Sequence, residues 1–332
     1  MSLRLINAHE VRRLLPMSAC IGLMRKAMTY PGLGGALQPI RTALKVPEQR
    51  NLLGMMPGFI PGQADGTPAQ LGIKVVTVYP GNFGTELGSH QGMVLMFDAV
   101  NGRPVGIVEA REITAIRTAA ASAVATDTLA RPDATVLAVF GYGEQATEHI
   151  EALLKVRPFS RVLVWGRDAA RVQAFCTSSR TRFGVAVEAA PSVESAVERA
   201  DVLCTTTAAP EPYLMGRLLR AGQHLNVVGS SIPTTAEVDS EAVLRSRFYV
   251  DFLDSALALA GEFRRARDAS VVTDAHILGS IGDVLTGRAV GRRDASDITM
   301  FKSLGMVCED LVSTRFVLEE AERLGVGQVV EF

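Results

Sequence analysis

The sequence predicts an α/β protein: a Rossmann-type doubly wound parallel sheet plus a discontinuous α+β domain with an antiparallel sheet. Three observations carry that prediction. Between residues 134 and 252 short apolar runs alternate with helix-like stretches, the rhythm of βα units. A glycine turn, Gly141-x-Gly143-x-x-Ala146, ends the first of those runs and opens a helix. Glycine and proline punctuate the first third instead, with hairpin-like spacing and no βα rhythm.

In the first third, Ile73–Tyr79 and Met93–Asp98 are strand candidates. The alanine-rich stretch Ile113–Ala130 contains Arg117, Asp127 and many hydroxyls, so it predicts a tightly packed helix and not a membrane span. The parallel region predicts strands at Ala134–Phe140, Arg161–Trp165, Val185–Ala189, Val202–Thr206, Leu225–Val228 and Phe248–Phe252. Helices are expected at Gly143–Val156, Asp168–Ser179 and Ser192–Arg199. Continuous apolar runs suit strands covered on both faces. The tail, Ser303–Leu324, places Met306, Val307, Leu311, Val312 and Val317 at helical spacing, and is expected to pack back on the first domain. The predicted division is 1–117 and 295–332 for the discontinuous domain, around a dinucleotide-binding domain at 118–294.

Composition excludes several function classes. The 332 residues carry 34 basic and 35 acidic side chains, a net charge of −1, so no strong field favours nucleic acid or an anionic membrane. Cys20, Cys176, Cys204 and Cys308 are scattered, with no CxxC pair, which argues against a zinc knuckle or a disulfide framework. The opening MSLRLINAHEVRRLL has no apolar secretory core, and the expected location is the cytoplasm. His9, His90, His149, His224 and His276 show no HExxH or paired metal spacing, and no metal is expected. Ser230 and Ser231 lie outside a GxSxG elbow, and the glycine turn lacks the GK[ST] ending of a phosphate-cleaving loop.

The glycine turn indicates a dinucleotide site. Gly141 permits the tight turn, Gly143 lets the backbone approach a diphosphate, and Ala146 keeps helix and strand close. The helix N-terminus then offers free N–H groups to the phosphates. At the tip of the next strand, where an NAD site usually places an acid for the ribose hydroxyls, stand Gly166, Arg167 and Asp168. A guanidinium at Arg167 suits a 2′-phosphate by charge and fork geometry, which favours NADP(H) over NAD(H). Asp168 would repel that phosphate if it faced inward, but also fits as the N-cap of the following helix.

Three cations stand out elsewhere: Arg41 in QPIRT, Lys74 in LGIKVVTVYP and Arg117 in TAIRTAAASA. Lys74 shares a strand face with Val76 and Val78, an unusual setting for a solvated lysine. Taken together they suit a carboxylate clamp; taken singly they suit a sheet-edge lysine and ordinary surface or helix arginines. Spacing alone leaves both readings open.

The stretches LGMMPGF, IKVVTVYPGN, GSHQGMVLMFD, EITAIRTAAASAVAT, FGYGEQA, NVVGSSIP and FKSLGMVCEDLV resemble, in order, the ornithine cyclodeaminase/mu-crystallin family. The resemblance is greatest to its mu-crystallin and ketimine reductase branch. It implies a substrate-carboxylate site at Arg41, Lys74 and Arg117, with His90 nearby. It also implies a homodimer formed through the sheet of the discontinuous domain. Met55, Met56 and Phe59 are expected to line the pocket. The expected cofactor contacts are Arg117, Thr118, Gly141, Tyr142, Gly143, Glu144, Gln145, Gly166, Arg167, Asp168, Thr205, Thr207, Val228 and Ser303.

One departure discriminates within the family. Ornithine cyclodeaminases carry an aspartate two residues after the glycine of the turn Val228-Gly229-Ser230-Ser231, where this sequence has Ser231. Oxidative deamination with ring closure needs a group that takes and returns protons near neutral pH, which a partnerless serine does not supply. Reduction of a cyclic imine is mostly positioning. The expectation is NAD(P)H-dependent reduction of pyrroline-2-carboxylate or piperideine-2-carboxylate type ketimines, with Lys74, Arg117 and Ser231 as the catalytic candidates. The alternatives are an ornithine cyclodeaminase or amino-acid dehydrogenase, and a non-catalytic, NADP-dependent small-ligand binding protein.

Overall fold

The computed structural model describes residues 2–33, 35–47, 51–82 and 85–331. Its strands, in chain order, are β1 (Ser2–Ile6), β2 (Thr42–Lys45), β3 (Leu52–Ile60), β4 (Gln70–Val78), β5 (His90–Phe97), β6 (Pro104–Glu109), β7 (Val136–Phe140), β8 (Arg161–Trp165), β9 (Ala186–Ala189), β10 (Val202–Thr205), β11 (His224–Val227), β12 (Arg247–Val250), β13 (Ile277–Ser280), β14 (Thr299–Lys302) and β15 (Gln328–Glu331). They form two sheets, and the chain divides into two compact units, Met1–Arg117 with Met306–Phe332, and Thr118–Gly305.

The first unit holds the sheet β15-β1-β6-β5-β4-β3-β2, antiparallel except where β1 runs parallel to β6. β3, β4 and β5 are joined as hairpins, in keeping with the glycine and proline punctuation of this region. The amphipathic helix Val307–Leu324 covers one face of the sheet. Glycines make room for it: a Cβ at Gly72 would stand 2.7 Å from Leu311 Cδ2, and Cβ atoms at Gly58 and Gly106 would strike Val307 and Leu318. The absent side chains let the helix backbone approach the sheet. The opposite face carries Met55, Phe59, Ile73, Val75, Met93 and Leu95, none of them buried within the chain.

The second unit holds a wholly parallel sheet in the order β13-β12-β14-β11-β10-β7-β8-β9. The order reverses between β7 and β10, the switch point at which doubly wound folds bind ligands. β10 and β11 are buried at every position, as strands covered on both faces must be. Residues 295–305, expected in the discontinuous domain, belong here instead. Thr299–Lys302 forms β14 between β12 and β11. A strand ending in lysine reads as an element boundary; only its fold partner, described below, makes that lysine a core residue.

Helix Ala110–Leu129 is built of small residues that are almost all buried. Among the described residues no helix is long and apolar enough to cross a membrane. Ser122 meets His149 Nε2 at 3.0 Å, and His149 Nδ1 lies 2.7 Å from the Gln145 carbonyl. That carbonyl only accepts, so Nδ1 carries the proton and Nε2 accepts from Ser122. His224 is likewise buried, between Thr299 Oγ1 at 2.9 Å and Asn226 Oδ1 at 3.3 Å. Neither histidine is part of a metal cluster among the described residues.

Burial pushes the His149 pKa down to about 4 and that of His224 to about 3. The native state keeps both rings neutral while the unfolded chain protonates them below about pH 6.5. Their stabilising effect is therefore complete above pH 6.5 and declines as the pH falls toward the native pKa values. Each should remove about 2 kcal/mol of stability by pH 5. Urea unfolding followed from pH 7.5 to 4.5 should show the midpoint dropping below pH 6.5, and His149→Gln should flatten part of that drop.

Candidate active site

In the first unit the candidate residues Met56, Lys74 and His90 lie on the helix-covered face of the sheet. The register sets Lys74 of β4 opposite Met56 on β3 and Val94 on β5. Met56 is thus buried beside Lys74, whereas Met55 and Phe59 point to the other face, away from the cations. That corrects the expectation for Met55 and Phe59; strand alternation separates i from i+1 whatever their hydrophobicity. His90 opens β5 opposite Val78, on the same face as Lys74 but four residues along β4. It is exposed, with Nδ1 3.0 Å from the Ser89 hydroxyl.

Lys74 is 3% exposed and Arg117 4%. Burying two cations is costly unless they are paired, and the partners are Glu309 and Asp310 at the start of helix Val307–Leu324. Lys74 Nζ lies 2.8 Å from Asp310 Oδ2 and donates to Thr114 Oγ1 at 3.4 Å. Arg117 donates from Nε to Asp310 Oδ1 at 3.0 Å and from NH1 to Glu309 Oε2 at 2.9 Å. Glu309 Oε2 also accepts from the Met306 backbone N–H at 3.2 Å. Arg41, half-buried just before β2, is close enough for its charge to act on Lys74.

The electrostatics follow from this arrangement. Burial drives the Lys74 pKa down to about 8, with Arg117 and Arg41 pushing the same way and Asp310 opposing. Burial pushes the Asp310 carboxyl up, but Arg117 and Lys74 outweigh it and hold the pKa below the ordinary value. Lys74 has three N–H donors and two are taken by Asp310 and Thr114. Glu309 and Asp310 escaped the sequence reading because acids in a helix's first turn ordinarily complement its dipole. The usable signal was their place in the stretch FKSLGMVCEDLV, where an otherwise apolar helix face carries two acids.

In the second unit the glycine turn has the geometry its spacing implies. Gly141 has φ +125°, and a Cβ there would meet Thr206 Oγ1 at 2.6 Å. Nothing lies within 4 Å of where a Gly143 Cβ would be, and Gly143 caps helix Glu144–Leu153 with no side-chain hydrogen bond. The first-turn N–H groups therefore face an open cradle. Tyr142 packs its ring over Gly166, so closely that a Cβ at Gly166 would strike it. Arg167 is exposed and makes no hydrogen bond or ion pair among the described residues. Asp168 accepts from the Arg171 N–H at 3.0 Å, as N-cap of helix Ala169–Phe183.

Other expected cofactor contacts are placed differently. The hydroxyls of Thr205 and Thr207 both donate to the buried Glu237, at 2.6 Å each, so their side chains are committed to the protein. Spacing showed the threonines but not the distant carboxylate that accepts their hydrogen bonds, 32 and 30 residues further on. Val228 donates its N–H to the Thr205 carbonyl at 3.1 Å, and Thr118 is 9% exposed. Glu144 and Gln145 open the helix, with Gln145 Oε1 buried and unbonded. Ser303, just past β14, is 2% exposed and its hydroxyl has no partner. Ser231 is exposed and makes no hydrogen bond among the described residues.

One unit is a parallel doubly wound sheet with an open glycine cradle and the other holds a buried cation–carboxylate cluster, which defines a two-unit α/β chain of dinucleotide-binding topology. The chain belongs to the ornithine cyclodeaminase/mu-crystallin family, whose model matches residues 3–324. It is 36% identical over 286 residues to the ketimine reductase mu-crystallin of Mus musculus, covering 86% of each chain. It is 32% identical over 328 residues to a Delta(1)-pyrroline-2-carboxylate reductase of Bacillus cereus, covering 98% of this chain and 99% of that one. Among solved structures it superposes with TM-score 0.93 and 30% identity on the Thermococcus litoralis Delta(1)-pyrroline-2-carboxylate reductase in complex with NADH and L-proline, covering 98% and 99% of the two chains. An archaeal alanine dehydrogenase dimer with bound NAD gives TM-score 0.92 and 27% identity over the whole of both chains.

Proposed function

We propose that this protein reduces small cyclic ketimine carboxylates, of the pyrroline-2-carboxylate or piperideine-2-carboxylate type, to cyclic amino acids. The observation that carries the reading is the buried Lys74, held at 2.8 Å by Asp310 with its pKa lowered to about 8. An ammonium of that acidity donates a proton at neutral pH and remains cationic enough to attract a carboxylate. Arg41 and Arg117 hold the substrate carboxylate beside it, with Met56 against the ring and His90 farther along the same face. A reduced nicotinamide, when bound, would be the source of hydride for the imine carbon. Lys74 delivers the proton to the nitrogen, so the C=N bond becomes CH–NH and the lysine is left neutral until water reprotonates it. Ser231 is exposed and makes no hydrogen bond among the described residues, so no neighbour activates its hydroxyl, and we assign the proton to Lys74.

The residues at the glycine turn fit the dinucleotide. The open space over Gly143 and the uncapped first turn of helix Glu144–Leu153 suit a diphosphate. Tyr142, Gly166, Arg167, the Thr205–Thr207 backbone, Val228 and the unbonded hydroxyl of Ser303 complete the contacts. NADP(H) is favoured because Arg167 is unengaged while Asp168 is turned onto its helix as a cap. Arg167→Ala should raise KM for NADPH about 10- to 100-fold and leave that for NADH nearly unchanged. Equal effects on both cofactors would remove Arg167 from the reading.

The apolar outer face of the first sheet, with Met93 46% and Leu71 36% exposed, supports a homodimer formed by a second copy of this chain. The four buried, free thiols support a reducing compartment, the cytoplasm. The deciding experiment is oxidation of NADPH and of NADH with pyrroline-2-carboxylate and piperideine-2-carboxylate, beside incubation with ornithine and NAD. Turnover of the imines without release of ammonia from ornithine is the expected result. Ammonia and proline from ornithine, with inert imines, would sink the proposal.

A further inference from the structure

A second buried charge network lies at the carboxyl ends of the strands in the parallel unit, and the mechanism above does not use it. Lys302, the last residue of β14, is completely buried, as is Glu237, and Glu262 is 1% exposed. Lys302 Nζ donates to the Ser230 carbonyl at 2.5 Å and lies 3.1 Å from Glu262 Oε2. Glu262 Oε1 accepts from the Glu237 backbone N–H at 3.1 Å. The Glu237 carboxylate accepts from Gly229 N–H at 2.6 Å, Thr207 N–H at 2.7 Å, the hydroxyls of Thr205 and Thr207, and Tyr213 at 3.2 Å. The turn after β11 is thus gripped at successive residues, Gly229 by Glu237 and Ser230 by Lys302. A buried pair of this kind gives little net stability against apolar residues of the same volume. Geometry is what it fixes.

The topology says which part of a dinucleotide that geometry serves. The diphosphate cradle follows β7, and the ribose-recognising tip, Gly166–Arg167, follows β8. The far half of the cofactor falls on the other side of the switch point, over β10, β11 and β14. The strand ends there are those the network ties together, and the buried, unbonded Ser303 hydroxyl sits one residue past Lys302. Resting on the cofactor reading above, we infer that Lys302 and Glu262 are positioning residues for the nicotinamide half of the cofactor. They act through the Gly229–Ser231 turn and leave the adenosine half untouched.

The test separates the two halves of the ligand. Trp165, the single tryptophan, stands at the tip of β8 and reports NADPH by energy transfer. Displacement of NADPH by 2′-phospho-ADP-ribose, which lacks nicotinamide, then gives the affinity of the adenosine half. In the double variant Lys302→Met/Glu262→Met the NADPH Kd should rise about tenfold, while that of 2′-phospho-ADP-ribose stays within about twofold. Equal weakening of both ligands, or of neither, overturns the inference. If the double variant does not fold, Glu262→Gln, which keeps an acceptor for the Glu237 N–H, should show a smaller change with the same asymmetry, and the same uniform outcomes overturn it. Wild-type protein that binds neither NADPH nor NADH would overturn the cofactor reading and this inference with it.

Discussion

Replacing Lys74 with glutamine should lower kcat for imine reduction about 10²- to 10⁴-fold, the range over which a positioned general acid contributes. The residual rate should no longer respond to pH as the native enzyme's does. With its pKa lowered to about 8, Lys74 is an ammonium below that pH and a neutral amine above it. The proposed mechanism consumes the ammonium form, so activity in the native enzyme should fall as the pH rises through about 8. In Lys74→Gln that alkaline limb should disappear. Asp310→Asn should instead move the limb to lower pH, because Asp310 is the neighbour that supports the charged lysine. A pH–rate profile of all three proteins over pH 6–10 checks both statements. A Lys74→Gln enzyme that retains the native profile would assign the proton to another donor.

The second large effect is on stability. Arg117→Ala should cost about 3–5 kcal/mol, because it leaves Glu309 and Asp310 buried without the guanidinium that neutralises them. Loss of activity in that variant is then as much a folding result as a binding one, and Arg117→Ala alone says little about the carboxylate clamp. Arg41→Ala is the cleaner probe, since Arg41 is only half-buried, whereas Arg117 is buried on two carboxylates. It should raise KM for the imine about 10- to 100-fold, the loss of one charge-assisted hydrogen bond, while thermal unfolding stays near native. Denaturation curves measured beside steady-state kinetics distinguish the two variants. An Arg41→Ala enzyme with unchanged KM would take that residue out of the clamp.

The fold was legible where local pattern and tertiary environment agree. The strand Arg161–Trp165 and the helix capped by Asp168 have signals confined to a few residues: an apolar run and a capping side chain. β14 was missed because its lysine contradicts a buried strand until Glu262, 40 residues away, is brought to it. β3 was hidden by its own glycines and proline, which read as turn punctuation yet serve close packing under helix Val307–Leu324.

The sequence by itself determined the doubly wound unit, the place of its phosphate turn and the identity of the three cations, because each depends on spacing along a few residues. Tertiary structure alone decided what those cations face. Glu309 and Asp310 come to Lys74 and Arg117 from more than 190 residues away, as the separations of 192 and 193 residues for Arg117 show. Charge interactions depend on distance and burial in space, and chain order records neither. The same reason sets the hydroxyls of Thr205 and Thr207 on the Glu237 carboxylate, and lowers the Lys74 pKa to about 8.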